Sequence, residues 1–149
     1  MTEPHNFNRT TCACADCVAC CKRQPGPLAP GDFERIAAHL GETPEQAKAH
    51  FCASPGALIK DKVTGQVARV GSIVPKTHRG SRCVFLDDND RCSIHPVAPF
   101  GCAYHDTHMS RATAMPRSLW WARAVAADPA YQQLRRELPY ATTYNPVPY

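Results

Sequence analysis

Cys14-Ala-Asp-Cys17-Val-Ala-Cys20-Cys21 is the stretch on which the reading of this chain turns. Three thiols follow one another at a three-residue step, and a fourth stands directly beside the last. On a helical or turn-like backbone that step brings successive side chains to roughly one side, whereas adjacent residues splay apart by about 100° on a helix. One local segment can therefore offer three thiolates to one centre and a fourth in another direction. Disulfides fit the pattern poorly, because close neighbours on one turn rarely meet the Cα separation and dihedral of an S–S bond. The spacing points to ligation of a metal ion or an iron–sulfur cluster.

Composition narrows the alternatives. Nine cysteines in 149 residues exceed ordinary usage but fall short of a small disulfide scaffold. The length suits one domain with a modest core. Met1 to Thr11 contains Pro4, Asn6 and Asn8 and has no apolar core of a secretory signal. The apolar runs are too short for a membrane span, so no membrane association is expected. These features are consistent with a reducing cytoplasm, where thiols remain free to bind metal. The net charge of +4 counts thiols as neutral. Four thiolates around Zn²⁺, or around a four-iron cluster of core charge +2, leave a centre of about −2. Lys22, Arg23, Arg82 and Arg91 lie within two residues of a cysteine and are candidates to offset that charge, or else a solvated basic rim. Basic residues are dispersed along the chain, which argues against a nucleic-acid partner.

The chain divides into a flexible N-terminal tail (residues 1–11), a cysteine-cluster domain (12–138) and a C-terminal tail (139–149). An α+β fold is expected: a small irregular single domain of short helices and a small β-hairpin, organised around a cysteine-ligated metal centre. Gln24-Pro-Gly-Pro27 breaks the chain after the cysteine run. Phe33, Ile36, Ala37 and Leu40 fall at helical spacing, and Gly41 marks a stop. Thr43-Pro44-Glu45-Gln46 reads as a capping box opening a short helix to about Phe51. Gln66 to Pro75 reads as a strand or bent hairpin, and Val84-Phe85-Leu86 as a second short strand. The Asp87–Asp90 turn then returns the chain and brings Cys83 and Cys92 towards each other. Residues 118–127 and 129–138 read as two C-terminal helices.

Downstream stands Cys83-Val-Phe-Leu-Asp-Asp-Asn-Asp-Arg-Cys92-Ser-Ile-His95-Pro-Val-Ala-Pro99-Phe-Gly-Cys102. With the N-terminal run it resembles the bacterial CxxCxxCC cysteine-cluster family (YkgJ-type), described as a zinc- or iron-chelating domain. The resemblance covers residues 14–102. It implies metal ligation by Cys14, Cys17, Cys20, Cys21, Cys83, Cys92 and Cys102. Departures stand at His95, Ala98 and Ala103, where members often have tyrosine, arginine and arginine.

Seven thiols exceed the four that one tetrahedral ion takes. Either two sites form, with His95 as an eighth donor, or four thiols hold one cluster and the rest are auxiliary. The run to Cys20 has the C-x₂-C-x₂-C spacing of bacterial ferredoxins, whose fourth ligand comes from farther along the chain. Cys102 is a candidate for that place, leaving Cys21, Cys83 and Cys92 for a second centre. Zinc and iron–sulfur (4Fe–4S) both fit, and the excess of thiolate over imidazole leans towards a cluster. His95 reads more simply as a turn histidine bonded to backbone. His105, Asp106 and His108 have the donor types of a non-haem iron site, yet support of the cysteines or plain surface polarity explains them better. Cys52 reads as a small buried residue beside Phe51, Cys12 as a tail thiol, and Trp120-Trp121 as one core and one surface ring.

Three functions compete: a metal- or cluster-binding module, an iron-dependent or iron–sulfur enzyme with an open coordination position, and a zinc-supported adaptor. The second has a precedent by resemblance in flagellin lysine methylases, which look as though they carry this domain in a much longer chain. No nucleotide-binding glycine loop or nucleophile elbow is present. Arg117, Arg123, Arg135 and Arg136 would serve an adaptor but are split by Asp128-Pro129. The binding module ranks first. Its partner would be another protein or a small-molecule substrate.

Overall fold

The apolar stripe after the proline-rich break forms helix α1 (Asp32–Leu40), which buries Phe33, Ile36 and Ala37. Gly41, at φ 68°, stops it, with the Gly41 and Glu42 amides donating to the Ala38 and Ala37 carbonyls. The capping box is present at α2 (Pro44–Ala47): the Thr43 hydroxyl accepts from the Gln46 amide, and Gln46 Oε1 accepts from the Thr43 amide. A single 3₁₀ turn (Lys48–His50) then leads into strand β1. The computed structural model describes residues 5–10, 25–60, 64–65, 67–78, 82–106 and 108–140. The cysteine run, Cys12, Lys22, Arg23 and the C-terminal tail from 141 lie outside the described residues.

Strands β1 (Phe51–Lys60) and β2 (Val67–Pro75) pair antiparallel, from Phe51 opposite Pro75 to Lys60 opposite Val67. Sequence patterning finds β2 but not β1, because Ser54-Pro55-Gly56 reads as a turn. The register instead shifts between Ser54 and Ala57, a bulge that absorbs the proline within a strand. Gly56 makes the bulge possible: it sits at φ 79°, and a Cβ there would lie 1.6 Å from the Val70 carbonyl oxygen. Two short strands, β3 (Thr77–His78) and β4 (Arg82–Cys83), form a second antiparallel pair. Val84–Leu86 is therefore a turn rather than the expected strand. The chain does return after the acidic turn, through the Leu86–Cys92 bridge and the Ser93 amide bonded to the Phe85 carbonyl at 2.7 Å. A one-turn helix α3 (Phe100–Ala103) carries Cys102, and α4 (Arg111–Ala126) and α5 (Pro129–Arg136) follow.

Helix α4 begins seven residues before the expected start. Its N-cap, the Ser110 hydroxyl, accepts from the Thr113 amide at 3.2 Å. Pro116 stands inside it, in its second turn, and without an N–H it cannot bond to the Ala112 carbonyl. Trp121 is buried on α4, whereas Trp120 is half-buried. The fold is α+β, with short helices around small two-stranded antiparallel sheets. Among the described residues no helix is long and apolar enough to cross a membrane.

The core closes on the segment that follows the cysteine run. Leu28 is fully buried and its amide donates to the Ile73 carbonyl at 2.9 Å. The Ile73 amide donates to Tyr131 Oη at 2.8 Å, and that hydroxyl donates to the Leu28 carbonyl at 2.7 Å. Trp121 Nε1 donates to the same carbonyl at 2.9 Å. Buried Asp32 then links this segment to α3. One oxygen, Oδ2, accepts from the Ala29 and Phe100 amides at 2.8 Å each, and Oδ1 accepts from the Arg35 guanidinium. Burial pushes the Asp32 carboxyl above its usual range, against the pull of those donors.

Asp32→Ala should leave two buried amides unsatisfied, at about 1–3 kcal/mol each, whereas Asp32→Asn keeps an acceptor and should cost less. Urea denaturation of the three proteins checks the order. Equal midpoints would remove Asp32 from the fold's supports.

Candidate metal centre

The cysteines in the described residues occupy different settings. Cys83 ends β4 and is buried in the core, next to Phe85 and Leu86 in sequence. Cys92 is half-buried at the Leu86 bridge, where burial pushes its thiol up and a hydrogen bond from the Ile94 amide opposes the shift. Cys102 is half-buried on α3. Cys52 sits on β1 opposite Val74 and is buried, and burial raises its thiol too. No disulfide joins any two of these four cysteines.

Cys102 has the most specific surroundings. The Gly26 amide donates to its sulfur at 3.2 Å, a bond that favours the thiolate over the thiol. This approach needs two glycines. A Cβ on Gly26 would lie 2.4 Å from the Gly101 carbonyl carbon and 2.8 Å from Cys102 Sγ. A Cβ on Gly101 would meet Pro27 Cδ at 2.3 Å. The Gly101 amide completes the junction by donating to the Pro27 carbonyl at 3.0 Å. Chain leaving the cysteine run is thus held against the sulfur of Cys102.

Chain entering the run is held at the same place. The Thr10 amide donates to the Ala103 carbonyl at 2.8 Å, and the Thr10 hydroxyl donates to Asp106 Oδ2 at 2.5 Å. Arg9 donates to the His95 and Pro96 carbonyls at 2.6 and 3.0 Å. His5 packs among Phe7, Phe100, Tyr104 and Trp120, with ring centroids 4.6–5.5 Å away. Residues 5–10, expected as part of a flexible tail, therefore make defined contacts with α3 and α4. At the other end, the Ala53 amide bonds to the Pro139 carbonyl at 2.8 Å and Tyr140 bridges Ala53.

Other donors read from the sequence have separate partners. His95 is exposed at the start of a 3₁₀ turn (His95–Val97). His105 Nε2 lies 3.3 Å from Ser118 Oγ, and burial holds this imidazole below its usual range. Asp106 also accepts from the His108 amide at 2.8 Å. Arg82, a candidate to offset the cluster's charge, pairs with Asp90 at 2.9 Å and donates to the Asp87 carbonyl. Asp87 Oδ1 accepts from the Asn89 and Arg91 amides, so these acidic residues build their own turn.

Among the described residues no three His, Cys, Asp or Glu side chains are grouped to hold an ion. Cys83, Cys92 and Cys102 therefore do not complete a centre by themselves. The donor set still fits a thiophilic metal. It supplies cysteine sulfurs, one of them in a glycine-lined cradle with an amide aimed at it. Sequence reasoning gave Gly26 and Asp32 no part in the site and weighed Arg117 only as an adaptor arginine. Arg117 had a readable signal: stepping back four residues from Trp121, on the stripe Trp121, Ala124 and Val125, reaches it.

With this geometry in place, comparison with known families is informative. The profile of the CxxCxxCC family, described as "putative zinc- or iron-chelating domain", matches residues 13–120. The chain belongs to this family. No curated protein and no solved structure gives a significant match.

Gly26→Ala should destabilise the protein by about 1–3 kcal/mol, since the two nearest neighbours of the added methyl, Gly101 C and Cys102 N, are backbone. Denaturant titration gives the value. A wild-type midpoint would mean that the Gly26–Gly101 junction can open freely.

Proposed function

We propose that the protein is a metal-binding module that holds a zinc ion or an iron–sulfur cluster with Cys14, Cys17, Cys20 and Cys102. The observation that carries this reading is the convergence of both flanks of the cysteine run on α3. Thr10 bonds to Ala103, and Gly26 bonds to the sulfur of Cys102. Cys14 is four residues from the first anchor and Cys21 five from the second. Cys21, Cys83 and Cys92 remain for a second site. Iron–sulfur ligation is favoured by the C-x₂-C-x₂-C spacing with a remote fourth cysteine. A cysteine set spaced for metal ligation suits a reducing compartment, and we place the protein in the cytoplasm.

A binding role is supported over an adaptor by the arginines. Arg117 is buried, and Arg135 donates to the Ser54 and Ser72 carbonyls across Gly71. Neither contributes to an exposed basic stripe.

Anaerobic purification followed by elemental analysis and an absorption spectrum tests the proposal. Iron with sulfide and broad absorption near about 400 nm identifies a cluster; colourless protein with stoichiometric zinc identifies closed thiolate sites. Cys17→Ser, Cys20→Ser and Cys102→Ser should each lower the bound metal on protein that stays folded. Cys12→Ser should change nothing. Cys52→Ser should cost about 1–3 kcal/mol of stability with the metal retained. Full metal content in Cys102→Ser would refute the assignment of that ligand.

A further inference from the structure

Among the described residues two charged side chains are buried, Asp32 and Arg117. Asp32 has Arg35 as its counter-ion. Arg117 has no carboxylate among the described residues. Its Nη1 donates to the Asn8 and Tyr104 carbonyls at 2.8 and 3.0 Å, and the Phe7 ring lies 5.1 Å from the guanidinium carbon. Its Nε is buried and makes no hydrogen bond. A guanidinium stays protonated at any workable pH, and a buried cation without an anion is strongly unfavourable. Two neutral carbonyls satisfy hydrogen bonds but do not cancel the charge. Asp106, near in sequence to Tyr104, is engaged by Thr10 and the His108 amide instead. Two imidazoles, His5 and His105, feel the Arg117 charge. Burial first, and the Arg117 charge with it, hold both below the usual imidazole range.

The position of this charge gives it a meaning. Asn8 is two residues before Thr10 and Tyr104 two after Cys102. These are the segments that the Thr10–Ala103 bond joins. We propose that Arg117 is the counter-charge and positioning residue of the thiolate centre, spanning the chain that enters the cysteine run and the chain that carries Cys102. Four thiolates on zinc or on a four-iron cluster leave about −2 to be offset. A cation fixed beside the ligand-bearing backbone lowers the free energy of assembling those thiolates. The inference rests on the metal-binding reading above.

Zinc affinity of the full chain, measured by chelator competition after anaerobic reconstitution, tests it. Arg117→Gln keeps hydrogen-bond donors for the two carbonyls and removes the charge; Arg117→Lys keeps the charge and loses the fork. Arg117→Gln should bind zinc about 10-fold to 100-fold more weakly, the range typical of residues that support metal ligands. Arg117→Lys should recover most of that loss. Wild-type affinity in Arg117→Gln would overturn the proposal, and so would equal losses in both variants, which would assign the effect to fork geometry. If Arg117→Gln does not fold, Arg117→Lys alone decides: affinity close to wild type supports the counter-charge, and a tenfold loss overturns it. Cys102→Ser separates the two readings. Loss of zinc there with retention in Arg117→Gln removes only the counter-charge, whereas folded wild-type protein that takes up neither zinc nor iron removes both.

Discussion

Asp32 Oδ2 holds two backbone amides at once, those of Ala29 and Phe100, and the rest of the structure is arranged around that double bond. Removing a carboxylate from water is costly, and this one is compensated by two amides and an arginine. The result fixes the segment leaving the cysteine run against the start of the helix that carries Cys102. Leu28, one residue before Ala29, extends the junction into the core, with its carbonyl accepting from both Trp121 and Tyr131. Helices α4 and α5 and strand β2 therefore dock on the same few residues. Placement of Cys102 is a consequence of core packing, not of a loose loop.

The junction leaves no room for side chains where the backbones meet. Gly26 and Gly101 face each other, and a methyl on either would collide with main-chain or ring atoms of the other segment. Such proximity lets a backbone amide reach a sulfur atom, and an amide hydrogen bond to a thiolate lowers the energy of the ionised form. A glycine pair thus has a chemical effect through geometry alone. Gly71 plays a comparable steric part at the hairpin, where its missing side chain admits the Arg135 guanidinium to the Ser54 and Ser72 carbonyls.

Periodicity made α1 legible, with Phe33, Ile36 and Ala37 on its buried face, and so did the capping chemistry at Thr43. Strand β1 was hidden because Pro55 and Gly56 carry turn propensity locally, while pairing with β2 tolerates them through a bulge. Proline likewise masked the first two turns of α4, because Pro116 reads locally as a helix breaker although the helix runs through it. The short Val84–Leu86 run had strand composition, but its Phe85 and Leu86 are buried in the core from a turn. Cysteine spacing spoke clearly about the family, whose profile matches residues 13–120. It was silent about Asp32 and Gly26, because long-range backbone contacts have no local periodicity to betray them.

Charge balance connects the site to the fold. A thiolate centre accumulates negative charge as it assembles, and a protein can offset it with mobile surface cations or with a fixed internal one. Arg82 is committed to the Asp87–Asp90 turn, and Arg135 to the hairpin carbonyls. Arg117 differs in being buried without a carboxylate among the described residues, on the helix face that also buries Trp121 and Val125. Its hydrogen bonds end on Asn8 and Tyr104, so any movement of the run's entry relative to Cys102 would break one of them. Burial also limits screening by salt, so the influence of such a cation persists where surface lysines and arginines would fade. Arg117 therefore ties the junction of the Asn8 and Tyr104 segments to the packing of α4, and on the proposed metal-binding reading it would tie metal retention to the integrity of the core.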